Sequence, residues 1–277
     1  MKSAVKASSS SLFSILFPSD CRICSVPLTS IASLPVCEPC LGKVVPLDGP
    51  LCRHCGEKLF HNVAESEGGD LCGMCRRAEP RFRRAAAYGA YEGELRDLIH
   101  LFKYKGIRPA GKLLGGLLNQ AVKAMAFPDS LIVVPVPLWS GKRDARGFNQ
   151  AEALALTFMA FQTSSSIQLD TSILVRTRET ASQTGLTRHQ CRANVRGAFA
   201  VLKPEKVKGR SIILIVDDVM TTGTTAGECA RVLRRVGAKE VFVATVARAT
   251  KAAGSVLAMA AGAPAGGIPP GGERGHA

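Results

Sequence analysis

The chain has 277 residues, 46% of them hydrophobic, and carries a formal net charge of +14. That length buries one full α/β core and leaves a remainder for a small second module or for tails, and a surface so basic has polyanions as its natural partners. No apolar run approaches membrane length, and the N-terminal stretch Leu12 to Phe17 is short even for a signal-peptide core, so a cytoplasmic chain without membrane insertion is expected.

Residues 1–20 are expected to form a short amphipathic segment, with Leu12, Phe13, Leu16 and Phe17 docking on the module that follows. That module, residues 21–78, is marked by its cysteines. Eight of the chain's ten fall into C-x-x-C pairs: Cys21/Cys24, Cys37/Cys40, Cys52/Cys55 and Cys72/Cys75. Two intervening residues let the chain turn so that both thiolates face one ion, and two such turns complete a closed tetrahedral zinc site. Disulfides would need an oxidising compartment that nothing in the N-terminus indicates. Pairing in sequence gives two structural Zn²⁺ ions; a cross-brace, with alternate pairs sharing an ion, is the other arrangement. The segment is poor in large apolar side chains, so metal binding must supply most of its folding free energy. His54 and His61 read as surface residues, because the sulfurs already complete both sites.

Arg76 to Arg84 reads as a basic linker, with Phe82 either a buried anchor or a ring for a base to stack on. Residues 85–250 follow as the larger domain. Ala85 to Tyr91 is its first predicted strand. Leu95, Leu98, Ile99 and Phe102 mark the buried face of a helix from Gly93 to Lys105, with His100 off that face, and a second helix is predicted from about Pro109 to Met125. Leu131 to Val136 is a buried strand. The loop beyond it carries Lys142, Arg143 and Arg146, and Asn149 caps a helix continuing to about Phe161. Ile173 to Val175, Ala198 to Val201, Ile212 to Val216 and Val241 to Val246 are further strands. This alternation predicts a mostly parallel sheet with helices on both faces, whose ligands bind beyond the carboxyl ends of the strands. Residues 251–277, rich in Ala, Gly and Pro, are expected to be a disordered tail.

The chemistry concentrates after Ile212 to Val216. Asp217 and Asp218 close that strand, Thr221, Thr222, Gly223, Thr224 and Thr225 form a turn, and a helix runs from Ala226 to Val236. A helix N-terminus offers backbone N–H groups and partial positive charge to a phosphate. Ionised carboxylates only accept, so the acid pair suits a vicinal diol instead. Together they ask for a ribose carrying a phosphate. Thr225 and Glu228 alone could form a capping box, but that leaves the paired acids and the other threonines without a reason. Cys191 and Cys229 read as core thiols.

The string IILIVDDVMTTGTTAGECARVLRRVGA resembles the phosphoribosyl pyrophosphate (PRPP) motif of type I phosphoribosyltransferases. The four C-x-x-C pairs, YEGELRDLIHLFKYKG, VPVPLWSGKRDARGFNQA, RTRETASQTGLTRHQCRANVRGAF and that motif, in this order, are similar to the ComF family. The resemblance covers the chain from about Leu12 to Ala247. It implies a phosphoribosyltransferase-type (Rossmann-like) domain preceded by a double zinc ribbon. It makes Asp217 and Asp218 the ribose-binding, catalytic pair, and Thr221 to Thr225 with Gly223 the 5′-phosphate loop. Lys142, Arg143 and Arg146 would meet pyrophosphate, while Arg178, Thr180 and Gln183 would lie on a covering loop in which Ser182 departs from an expected Pro. Mg²⁺ would accompany PRPP. The implied activity is phosphoribosyl transfer to an acceptor that the sequence does not identify. The resemblance also implies a non-catalytic alternative: a single-stranded DNA-binding competence factor working with the DNA-uptake machinery of natural transformation.

Overall fold

The computed structural model describes residues 19–28, 32–59, 70–123, 125, 130–181, 185–209 and 212–249. The predicted N-terminal segment up to Pro18, His61, Ser182, Gln183 and the C-terminal tail lie outside these residues.

The first two elements are one-turn helices, α1 (Glu38–Gly42) and α2 (Gly73–Arg77). Each starts at a cysteine, Cys37 or Cys72, as N-cap. Each is preceded by a tight knuckle, and the two knuckles are built alike. Ser25 N–H bonds Cys21 O at 2.9 Å and Gly56 N–H bonds Cys52 O at 2.8 Å, and both residues take positive φ. The C-x-x-C pairs at Cys21 and Cys52 therefore share a backbone conformation as well as a spacing.

The larger part contains β1 (Arg84–Ala90), α3 (Gly93–Tyr104), α4 (Ala110–Lys123), β2 (Leu131–Pro135), α5 (Ser140–Arg146), α6 (Gln150–Met159) and β3 (Ile167–Leu169). There follow β4 (Leu174–Arg176), α7 (Arg188–Val195), β5 (Phe199–Val201), β6 (Ile212–Met220), α8 (Thr224–Arg235) and β7 (Glu240–Arg248). Five strands form a parallel sheet in the order β1-β7-β6-β2-β3. Its central strands are apolar on both faces, as burial under two helical layers requires: β2 is buried throughout and β6 is buried from Ile212 to Val216.

Two clusters of buried side chains flank the sheet. One unites Ile213, Ile215 and Val243 with Cys229 and Leu233 of α8 and with the cysteines of the second ribbon. The other unites Leu214, Val216 and Val246 with Leu98, Leu114 and Phe158 of α3, α4 and α6, and with Cys21 and Cys40 of the first ribbon. The ribbons thus pack on opposite faces, and the chain between them crosses the outer edge of β1. There Leu47 N–H bonds Tyr88 O at 2.6 Å, and Ala85 N–H bonds His54 O at 2.7 Å. Gly89 permits this approach, since a Cβ built there would lie 2.9 Å from Val45 O.

The segments Ile173 to Val175 and Ala198 to Val201, expected in the parallel sheet, instead pair with each other. β4 and β5 form a separate antiparallel ladder with Arg176 opposite Phe199. Three-residue strands can pair this way without a crossover, which a parallel partnership would demand.

Candidate functional site

From β2 the chain winds outward to β3, and from β6 it winds the other way to β7. Between β2 and β6 the direction reverses, and the carboxyl ends of the strands at such a point leave a crevice for a ligand. Val136 N–H bonds Val216 O at 2.9 Å, so the strand ends meet where Asp217 begins.

β6 runs on past Val216 through Met220, so both acids lie within the strand. Asp217 Oδ1 accepts from Asp218 N–H at 2.9 Å. Burial, and then the charge of Asp218, raise the Asp217 carboxyl to about 7, against the pull of Lys103 and Arg176. Asp218 is buried and holds Lys103 Nζ of α3 at 2.8 Å. Burial works to lower the Lys103 ammonium, but Asp218 prevails and the net shift is upward. Lys103 is a site residue that the sequence reading passed over. Its one signal is its place just beside the buried stripe of α3, near the carboxyl end of that helix.

The turn after β6 is closed by Gly223, which N-caps α8 at φ 73°. Thr222 Oγ1 lies 2.9 Å from Thr224 Oγ1 and accepts from Thr224 N–H at 3.4 Å, while Thr221 is exposed. Glu228 is not half of a capping box. It accepts from Gly197 N–H at 2.7 Å and pairs with Arg231 at 2.8 Å.

The basic segment after β2 is helical, α5, with no buried side chain. Lys142 Nζ donates to Thr180 O at 3.1 Å. Arg146 donates to Gln150 Oε1 at 3.1 Å and to Tyr104 OH at 3.2 Å, its guanidinium 4.9 Å from the Tyr104 ring centroid. Arg143 is exposed on the same helix. His100, expected to be solvated, is exposed but bonds Tyr91 OH at 3.1 Å and lies between the rings of Tyr91 and Tyr104.

Arg178, expected on the covering loop, donates to Asn194 O at 2.9 Å and Arg196 O at 2.8 Å, at the carboxyl end of α7. Arg176 is the guanidinium that acts on Asp217. It donates to buried Thr180 and lies 5.3 Å from the Phe199 ring centroid, and its Nε is buried with no partner among the described residues.

The cysteines gather in sequence order. Cys21, Cys24, Cys37 and Cys40 form one cluster and Cys52, Cys55, Cys72 and Cys75 the other, with all sulfurs of a cluster within 4.8 Å of one another. The cross-brace is thereby ruled out. Sγ–Sγ distances of 3.9 Å (Cys21/Cys40), 3.6 Å (Cys24/Cys37) and 3.6 Å (Cys55/Cys72) are far longer than a disulfide. They approach the edge of roughly 3.8 Å that a tetrahedron of ~2.3 Å zinc–sulfur bonds has. The side-chain contact with Cys52 pushes Cys55 up to about 12, while Cys52 itself is lowered. Buried sulfurs this close cannot all ionise by themselves, and a divalent cation removes the conflict. Both clusters fit structural zinc.

A second concavity lies at the opposite, amino-terminal ends of β1 and β7, with a volume of about 960 Å³. Arg53, Arg81, Arg83, Arg84, Arg234 and Lys239 line it, with Glu79 and Glu240 as the opposing charges. Arg83 is paired with Glu240 at 2.6 Å and Arg53 with Asp70 at 3.0 Å. Phe82 is 4% exposed. It is the buried anchor and offers no face to a base.

The parallel sheet, the acid pair at its switch point and the two four-cysteine clusters define a phosphoribosyltransferase-type α/β protein with a double zinc ribbon. Residues 12–76 match the double zinc ribbon domain family and residues 144–259 the phosphoribosyl transferase domain family. The chain is 32% identical to the DNA utilization protein YhgH of Escherichia coli (strain K12) over 232 residues, 82% of this chain and 95% of that protein. It is 29% identical to competence protein F of Haemophilus influenzae, over 79% of this chain and 93% of that protein. It is 25% identical to competence protein ComFC of Bacillus subtilis, over 73% and 79%. The chain belongs to the ComF family. Among the described residues no helix is long and apolar enough to cross a membrane.

Proposed function

We propose that the crevice beyond β2 and β6 binds a ribose 5-phosphate ligand, PRPP or a close relative, with Mg²⁺. The observation that carries this reading is the pairing of two adjacent carboxylates with a glycine-capped, threonine-rich helix N-terminus at the switch point of the sheet. Asp217 and Asp218 accept from the ribose hydroxyls, with Lys103 fixing the second carboxylate. The turn Thr221 to Thr225 meets the 5′-phosphate through backbone N–H groups and hydroxyls. Lys142 and Arg146 on α5, with Arg176, which like Lys142 donates to Thr180, supply positive charge for a diphosphate. Asp217 and Asp218 are also the hard oxygen donors that suit Mg²⁺, which neutralises diphosphate charge when bound. In a transfer reaction an acceptor lone pair forms the new bond to C1 of the ribose. The C1–O bond to diphosphate breaks with its electron pair leaving on that oxygen, and the acceptor's proton passes to solvent. The chain's part in this is to position the ribose and stabilise charge. Calorimetry should record PRPP binding that requires Mg²⁺ and disappears in Asp217→Asn. Equal binding by that variant would refute the assignment.

The basic cleft supports a second reading, in which the chain holds single-stranded DNA by its phosphates. Its cations outnumber its acids, and with Phe82 buried the cleft would hold the strand by phosphate contacts without stacking a base on that ring. Anisotropy of a labelled oligonucleotide should weaken steeply with salt, and Arg81→Ala/Arg84→Ala/Lys239→Ala should flatten that slope by about 0.7 for each lost phosphate contact. Binding that ignores all three changes would remove the cleft from consideration.

A further inference from the structure

The two zinc clusters differ in what surrounds them. All four cysteines of the second are buried, whereas in the first Cys24 is exposed and Cys37 half-buried. A guanidinium is packed against the second cluster. Arg248, at the end of β7, is 3% exposed, with Nη2 3.5 Å from Cys55 Sγ and 2.6 Å from Glu57 Oε2. Its Nε and Nη1 are buried without a partner among the described residues. A cation near the first cluster, Lys43, has a side chain 66% exposed and paired with Glu94 at 3.1 Å.

Four thiolates on Zn²⁺ carry a net charge of −2, and burying that charge is costly unless a cation compensates it. A guanidinium donating to a thiolate offsets the cost and makes the sulfur harder to protonate or displace. At the exposed Cys24, water and competing ligands reach the sulfur directly.

We propose that the two zinc centres are kinetically unequal, the first exchanging its ion with the surroundings and the second locked by Arg248, whose guanidinium donates to the Cys55 thiolate. Arg248 is thus a positioning residue for the metal. The proposal rests on both clusters binding zinc. The first ribbon then follows the zinc supply while the second stays closed against the sheet.

The test uses the full chain brought to two zinc equivalents and mixed with excess 4-(2-pyridylazo)resorcinol, a chromogenic chelator. Two phases of one equivalent each are expected, separated by about tenfold or more in rate. Cys24→Ser should abolish the fast phase and leave the slow one. Arg248→Met should accelerate the slow phase by about 10- to 100-fold, the usual scale for losing a group that supports a metal ligand. Should that variant misfold because Glu57 is left uncompensated, Arg248→Met/Glu57→Gln keeps the buried charge even and should show the same acceleration. Release of both equivalents in one phase overturns the proposal, as does an unchanged slow phase in a folded Arg248 variant. A chain that takes up no zinc fails earlier, at the loading step, and overturns the zinc reading along with the proposal.

Discussion

Asp217 is the residue whose chemistry depends most on its neighbours. Burial and the adjacent Asp218 hold its carboxyl at about 7, well above the usual carboxylate range. A diol needs the ionised form, so ribose-phosphate affinity should rise as pH rises through about 7 and fall below it. The apo protein should respond with the opposite sign. Between the ordinary Asp range and 7 the folded chain keeps a proton that the unfolded chain has lost, so this group makes stability fall as pH rises through that window. Calorimetric titrations and thermal melts across pH 5 to 8 would check both, and Asp217→Asn should erase the dependence of stability. The acid pair was legible because two adjacent carboxylates at a strand end have few structural uses. Lys103 and Arg176 were not, because nothing local tells a helix lysine or an arginine ending a short strand that the fold will bring it against a distant strand.

The strand, turn and helix that carry the proposed phosphate site were readable as elements. The β-branched run, the Thr/Gly turn and the amphipathic stretch each announce themselves locally. What failed at this scale were elements without an apolar period. α5 buries no side chain and so shows no stripe. β3 has three residues after a Ser-rich turn. α7 did leave a signal that was passed over: Thr187 and Gln190 form a true capping box. At the turn proposed to hold phosphate the decisive conformation is Gly223 at φ 73°. A Cβ there would lie no closer than 3.7 Å to its nearest neighbour, so the cost of substitution is conformational and not steric crowding. Gly223→Ala should destabilise the fold by about 1–2 kcal/mol, the penalty of a left-handed backbone for an L side chain, and weaken phosphate binding with it. Gly223→Asn should lose less of both, since Asn tolerates this region. Denaturant melts of the two variants beside wild type would show the order.

For the whole molecule, the question is what a pair of zinc ribbons contributes to a sheet that already has helices on both faces. The sheet has an exposed edge at β1, and an unpaired edge invites pairing with other chains. The ribbons lie on opposite faces and the segment between them passes over that edge, satisfying Tyr88 O and Ala85 N–H. The cysteine spacing told how many ions the ribbons hold but not where the ribbons dock, because the docking contacts are scattered backbone groups, Gly89 and lone ion pairs such as Arg248–Glu57 and Lys43–Glu94, which carry no pattern. With little apolar burial of its own, the ribbon module depends on metal for its fold, so zinc removal should expose the β1 edge while leaving the far end of the sheet, β2 and β3, intact. Hydrogen exchange after chelation should therefore show a marked loss of protection across Arg84–Ala90 and little change in Gln150–Met159 of α6, which packs on β2, β3 and β6, away from the β1 edge. Exchange that rises uniformly over both would mean that zinc holds up the entire fold and that the ribbons are part of the core, not a clamp upon its edge.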